Sequence, residues 1–180
     1  MKKGNSGKME IIKILGELSK KLPKFPDGRI DYSKSNVAPV ITVFVKYGDK
    51  ILLLKRSDKV STYKGKWNTV AGYLDEIKPI EEKVLEELRE ELGVGEESIL
   101  SIHMADLFEF KDSRIEKTWI VTPVLVELEK ELEITLDWEH TDYIWIHPDE
   151  LKNFDTVPNL DKSLERALAV RESDEDHDED

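Results

Sequence analysis

Residues 72–94, GYLDEIKPIEEKVLEELREELGV, decide how this chain is read. Pro79 suits the start of a helix, where its missing N–H costs nothing, and Gly93 suits the residue that ends one in the left-handed conformation. The spacing predicts a helix over residues 79–92. At about 100° per residue, Ile80, Val84, Leu85, Leu88 and Leu92 fall on one apolar stripe. Glu91 falls inside that stripe, and Glu87 and Glu90 lie along its edge. Carboxylates crowded at a core boundary near the negative end of a helix dipole are unfavourable. The i,i+4 pairs Glu87/Glu91 and Glu86/Glu90 each cost roughly 0.2–0.5 kcal/mol. A divalent cation reverses that balance, because hard cations such as Mg²⁺ take several carboxylate oxygens together with water and phosphate. The alternative is a solvated Glu-rich helix face, which composition by itself favours.

The same stretch resembles the Nudix box: Gly, five residues, Glu, seven residues, then Arg-Glu-apolar-x-Glu-Glu-x-Gly-apolar. Gly72, Glu87, Leu88, Glu90, Glu91, Gly93 and Val94 match it in place, whereas Lys78 stands where the family has Glu and Glu86 where it has Arg. The two departures exchange signs, so a reversed Lys78–Glu86 ion pair is one expectation and two exposed, unrelated side chains the other. With the flanking strands and the later EHTDYIWIHPDEL, the likeness spans residues 37–151. It implies an α+β fold, an α/β/α sandwich with a mixed sheet and a catalytic loop-helix-loop. It also implies a Mg²⁺-dependent hydrolase, with Mn²⁺ as a substitute, that splits the pyrophosphate linkage of a nucleoside diphosphate-linked small molecule. Glu87, Glu90 and Glu91 are then the metal ligands, joined by the Ala71 carbonyl. Glu87 or Glu139 is the catalytic base. Glu109 and Glu116 compete with Glu139 for the role of remote carboxylate. The altered box also suits a second reading, a nucleotide-binding module that does not hydrolyse. Isomerases of this fold rely on a cysteine, and this chain has none.

Composition agrees with one folded domain. The chain has 180 residues, 39% hydrophobic and 37% charged, enough for a single substantial core. A net charge of −12 opposes non-specific nucleic-acid binding, which needs a basic surface. A third reading, an acidic protein that meets a basic partner, follows from the same charge. No apolar run is long enough for a membrane span or a signal peptide, and the lack of cysteine accords with a reducing cytoplasm.

Residues 1–36 read as an amphipathic helix and a linker, residues 37–170 as the hydrolase domain, and residues 171–180 as an acidic disordered tail. The helix carries Ile11, Ile12, Leu15, Leu18 and Leu22 at helical spacing. Packing on its own domain is its expected role, a homodimer interface the alternative. Strands are expected at 37–47 and 50–56 around the hairpin signal Gly48-Asp49, then at 67–71, 99–110, 115–128 and 143–146. Short helices are expected at 148–153 and 161–171. His177, among the tail's acids, is a weak candidate metal ligand. Outside the box, Arg56, Lys66 and Phe108 are candidate substrate contacts, the cations for phosphate and the ring for a base. Against each stands an ordinary role as edge charge, loop decoration or core. His103 and His140 are candidate acids or bases, but neither has a partner visible in the sequence.

Overall fold

The computed structural model describes the backbone of residues 3–178 and the side chains of residues 7–174. Eight strands form one mixed sheet: β1 (Val37–Tyr47), β2 (Lys50–Arg56), β3 (Trp67–Asn68), β4 (Val70–Tyr73), β5 (Ile99–Met104), β6 (Phe108–Asp112), β7 (Lys117–Leu128) and β8 (His140–Ile146). β1 is the hub. It pairs in parallel with β7 from Val37↔Thr118 to Lys46↔Glu127, while its other edge takes β4 at residues 40–43 and β2 at residues 46–47. β2 then leaves with β8 and β3, so the sheet splays open between β4 and β2. The predicted two-residue hairpin is present, with Gly48 at φ 61°, the left-handed region that glycine tolerates.

The sheet is covered on both faces, giving the expected α/β/α sandwich. Alternation along β1 and β7 sends Ile41, Val43, Val45, Val124 and Val126 to one face. There they bury against Ile80, Val84, Leu88 and Leu92 of α2 (Ile80–Leu92) and against Ile11 and Leu15 of α1 (Lys3–Lys21). Phe44, Ile51, Leu53 and Leu125 point to the other face. They pack with Leu151, from the 3₁₀ turn Pro148–Asn153, and with Leu160, Leu164 and Ala167 of α3 (Leu160–Asp178). The N-terminal helix is thus part of the core, as its spacing predicted.

Two expectations are corrected. The single strand expected over 99–110 is two strands, because β7 carries Pro123 opposite the break. The Pro123 carbonyl accepts from the Ala105 amide at 2.9 Å, so that edge of Pro123 faces β5, and there it has no N–H to continue the ladder. The acidic segment expected to be disordered from residue 171 continues α3 to Asp178. An ion pair and a hydrogen bond join it to the sheet: Arg171 contacts Glu127, and Asp174 lies 2.8 Å from His103 Nδ1. The side chain of His177 lies outside the described residues.

Candidate active site

The helix α2 starts after Pro79 and ends at Gly93, whose φ of 70° lets its amide and the next return to the carbonyls of Arg89 and Leu88. Its buried stripe carries three charged side chains with the leucines: Lys83, Glu87 and Glu91. Glu91 is only 2% exposed, and its Oε2 has no hydrogen-bond partner among the described residues. Burial holds its carboxyl well above the usual carboxylate range, and the charges of Glu87 and Glu139 push the same way. Glu87 is raised too, by burial, with Lys83 opposing. The two carboxyls lie close enough to act on one another, and the charge of Glu87 disfavours ionisation of Glu91.

Gly72 explains itself in this setting. A β-carbon there would stand 2.5 Å from the Glu87 Cδ and 2.7 Å from its Oε1, so only glycine leaves the carboxylate in this position. The loop from β4 into α2 is held by charge. Lys78 Nζ meets Glu86 Oε2 at 2.5 Å, the sign-reversed pair expected from the sequence. Tyr32 donates its hydroxyl to the Leu74 carbonyl at 2.7 Å, and the Ile30 amide donates to the Asp75 carbonyl at 2.8 Å.

Above the carboxylates lies a cleft of about 430 Å³. Ala71, Gly72, Glu87 and Glu90 line its floor, and Arg56 and Glu139 its wall. Tyr73, Phe110, Trp119 and Trp138 supply aromatic surface, Trp138 being 61% exposed. The Arg56 Nε donates to the Thr62 carbonyl at 3.0 Å, and no carboxylate among the described residues lies within 4.0 Å of the guanidinium. A half-buried cation without an ion-pair partner is suited to an anionic ligand. Glu139 is raised by burial, by Asp137 and by Glu87. Next to it His140 is buried, with Nδ1 3.0 Å from Asp137 Oδ1 and Nε2 3.6 Å from Glu91 Oε1. Burial lowers its pKa, which keeps the ring neutral beside the carboxylates.

Glu87 and Glu90 of α2, Arg56 of β2, Ala71 of β4 and Glu139 of the loop before β8 therefore converge on the cleft, while Glu91 lies buried outside its lining. Two other candidates lie away from it. Lys66 reaches Asp155 at 2.8 Å, outside the cleft. Phe108 is 6% exposed, and Lys162 Nζ and the Arg166 guanidinium stand 4.6 and 4.9 Å from its ring, so its face is already taken. Glu109 and Glu116 also lie outside the cleft lining. Sequence reading missed Lys83 and Asp75, whose ammonium and carboxylate are 3.3 Å apart. Lys83 sits four residues before Glu87, an i,i+4 signal that was available. As their side chains stand, no three His, Asp or Glu groups among the described residues gather closely enough to enclose an ion.

The family model described as NUDIX domain matches residues 36–167. This chain belongs to the NUDIX family. Members act on phosphoric anhydrides and generally use divalent metals. A nucleoside triphosphatase NudI from Salmonella paratyphi B is 30% identical over 127 residues, covering 67% of this chain and 86% of that protein. Among solved structures, a MutT protein from Methanosarcina mazei superposes with a TM-score of 0.59 at 23% identity, covering 74% of this chain and 94% of that one. The NUDIX domain of Shewanella oneidensis NrtR, crystallised with ADP ribose, gives 0.60 at 17% identity, covering 73% and 86%. These structures share the NUDIX fold. No helix among the described residues is long and apolar enough to cross a membrane.

Proposed function

We propose that this NUDIX protein is a Mg²⁺-dependent hydrolase, with Mn²⁺ as a substitute, that breaks a phosphoric anhydride bond in a nucleoside di- or triphosphate derivative. The observation that carries the reading is Glu91: an almost fully buried carboxyl with an orphaned oxygen, facing Glu87 at the floor of a cleft that also holds Arg56. Such a group is unstable without a cation or a proton, and hard oxygen donors fit Mg²⁺. Glu91, Glu90 and Glu87 would hold the ion, with the Ala71 carbonyl beside them. When bound, it neutralises phosphate charge and acidifies water. The chain's own groups do the rest. Arg56 binds phosphate oxygens through the N–H groups that Thr62 leaves free. Glu139, on the cleft wall, takes the proton of the attacking water. Phe110, Trp119 and Tyr73 offer a surface on which a base can stack. The similarity to a nucleoside triphosphatase supports nucleoside triphosphates as substrates alongside nucleoside diphosphate-linked compounds.

Incubating the protein with Mg²⁺ and a panel of nucleoside triphosphates, dinucleoside polyphosphates and nucleotide sugars, with products identified by mass, tests this. A cleaved anhydride is the expected result, and retention of every substrate defeats the hydrolase reading. The ammonium of Lys83, 3.2 Å from Glu87 Oε1, favours a second reading, a module that binds a nucleotide without cleaving it. Calorimetric binding without product would select that one.

A further inference from the structure

Lys83 is the least expected residue of the site. It is 5% exposed, and its Nζ lies 3.2 Å from Glu87 Oε1, 3.3 Å from Asp75 Oδ1 and 3.8 Å from Glu86 Oε2. A buried lone ammonium is strongly unfavourable, and only carboxylates at this range offset it. Two of its partners have other cations: Glu86 holds Lys78, and Asp75 lies 3.6 Å from Arg29. Among the described residues Glu87 meets no other cation within 4.0 Å. Glu91, one turn further on, has no lysine or arginine within 4.0 Å among the described residues and keeps an orphaned oxygen. Along the helix, the direct lysine contacts therefore stop at Glu87.

We infer that Lys83 is a resident counterion of Glu87, held on the helix itself, which stands in for a divalent cation at that carboxylate and contends with one for it. The inference deepens the metal-dependent reading above and rests on it. Lys83 is a positioning residue: it keeps Glu87 against Gly72 when no ion is bound, and it limits how tightly or how many ions the cluster takes. A fastening of loop to helix through Asp75 would explain the burial equally well. It would leave the affinity for ions unchanged, and this separates the two.

Mn²⁺ binding to the full chain, measured by calorimetry and by the paramagnetic resonance of the free ion, provides the test. Lys83→Met removes charge and hydrogen bonds, and Lys83→Gln removes the charge but keeps N–H donors on a shorter side chain. Both variants are expected to bind Mn²⁺ about tenfold more tightly or more, or to take an additional ion, because a positive charge beside the carboxylates has gone. Both should melt lower than wild type in EDTA, with saturating Mn²⁺ closing the gap. A variant that folds only with Mn²⁺ present supports the inference. Unchanged affinity and stoichiometry in both variants overturn it while leaving the metal-dependent reading intact. Variants that stay unfolded at saturating Mn²⁺ also overturn it, since the ammonium would then be irreplaceable by an ion. Binding by the variants but not by wild type supports the inference against that reading, and absence of binding in all three defeats both.

Discussion

At the scale of single residues, Glu91 is where the functional argument is most exposed to test. Glu91→Gln keeps shape and burial but removes the charge, so most hydrolytic activity should go while circular dichroism stays that of the wild type. Full activity at saturating Mg²⁺ would count against the assignment. The same variant reads out the buried charge through pH. Because the Glu91 carboxyl is raised from 4.5 in the folded chain, the folded state holds a proton that the unfolded chain has released. Its contribution is fully present below that ordinary value and is lost as pH climbs through the raised one. In EDTA the melting temperature of wild type should therefore fall relative to Glu91→Gln as pH rises from about 5 to 8. Parallel curves would show that the carboxyl is not desolvated. Gly72→Ala makes a different prediction. Its β-carbon meets the movable end of Glu87, not backbone, so the fold should persist while Glu87 is displaced. A shift of about 1 Å in such a group costs about 10²-fold in rate, measurable as kcat at near-normal melting temperature.

Elements come next, and here one contact fastens the cleft to the helix and another fastens it to strands β6 and β7. The pair Lys78–Glu86 fastens the loop after β4 to α2, with both side chains partly exposed. A double-mutant cycle with Lys78→Glu and Glu86→Lys should give a coupling of about 0.2–1 kcal/mol, the swapped double variant recovering what each single variant loses. Additive effects would mean that the contact does not matter to stability. Tyr63 holds the loop between β2 and β3 at a φ of 52°, which a tyrosine adopts only under constraint. Its hydroxyl donates to Asp112 Oδ2 at 2.9 Å and accepts from Trp119 Nε1 at 3.1 Å. Tyr63→Phe should cost about 1 kcal/mol or more in denaturant unfolding, because two partners are left unsatisfied. No change would show that the loop holds its shape without them. Strands and helices themselves were mostly legible, since periodicities of 2 and 3.6 are local properties. The break between β5 and β6 was not legible, because Pro123 acts on it from another strand. Nor was the helical continuation past residue 171, where Arg171 and Asp174 find partners on β7 and β5 that composition does not show.

For the whole molecule, the net charge of −12 sets a background of self-repulsion around a site that needs cations. Without divalent ions, thermal stability should rise as NaCl is raised from low ionic strength to about 0.15 M, where screening extends over about 8 Å. A falling curve would mean that attractive pairs dominate. By itself the sequence determined the family resemblance, the α/β/α layering, the helix carrying Glu87, Glu90 and Glu91, and the sign exchange of Lys78 with Glu86. The helix and the sign exchange follow from spacing along a few turns, and the layering from the family that the stretch resembles. Only the tertiary structure decided that Glu139 and Arg56 share a cleft with that helix, that Phe108 is capped by Lys162 and Arg166 and Lys66 is drawn away by Asp155, and that Lys83 lies buried against Glu87. Those choices depend on which distant segments the sheet brings together. Burial then decides how much each charge is worth, and it exists only once the chain has closed around it.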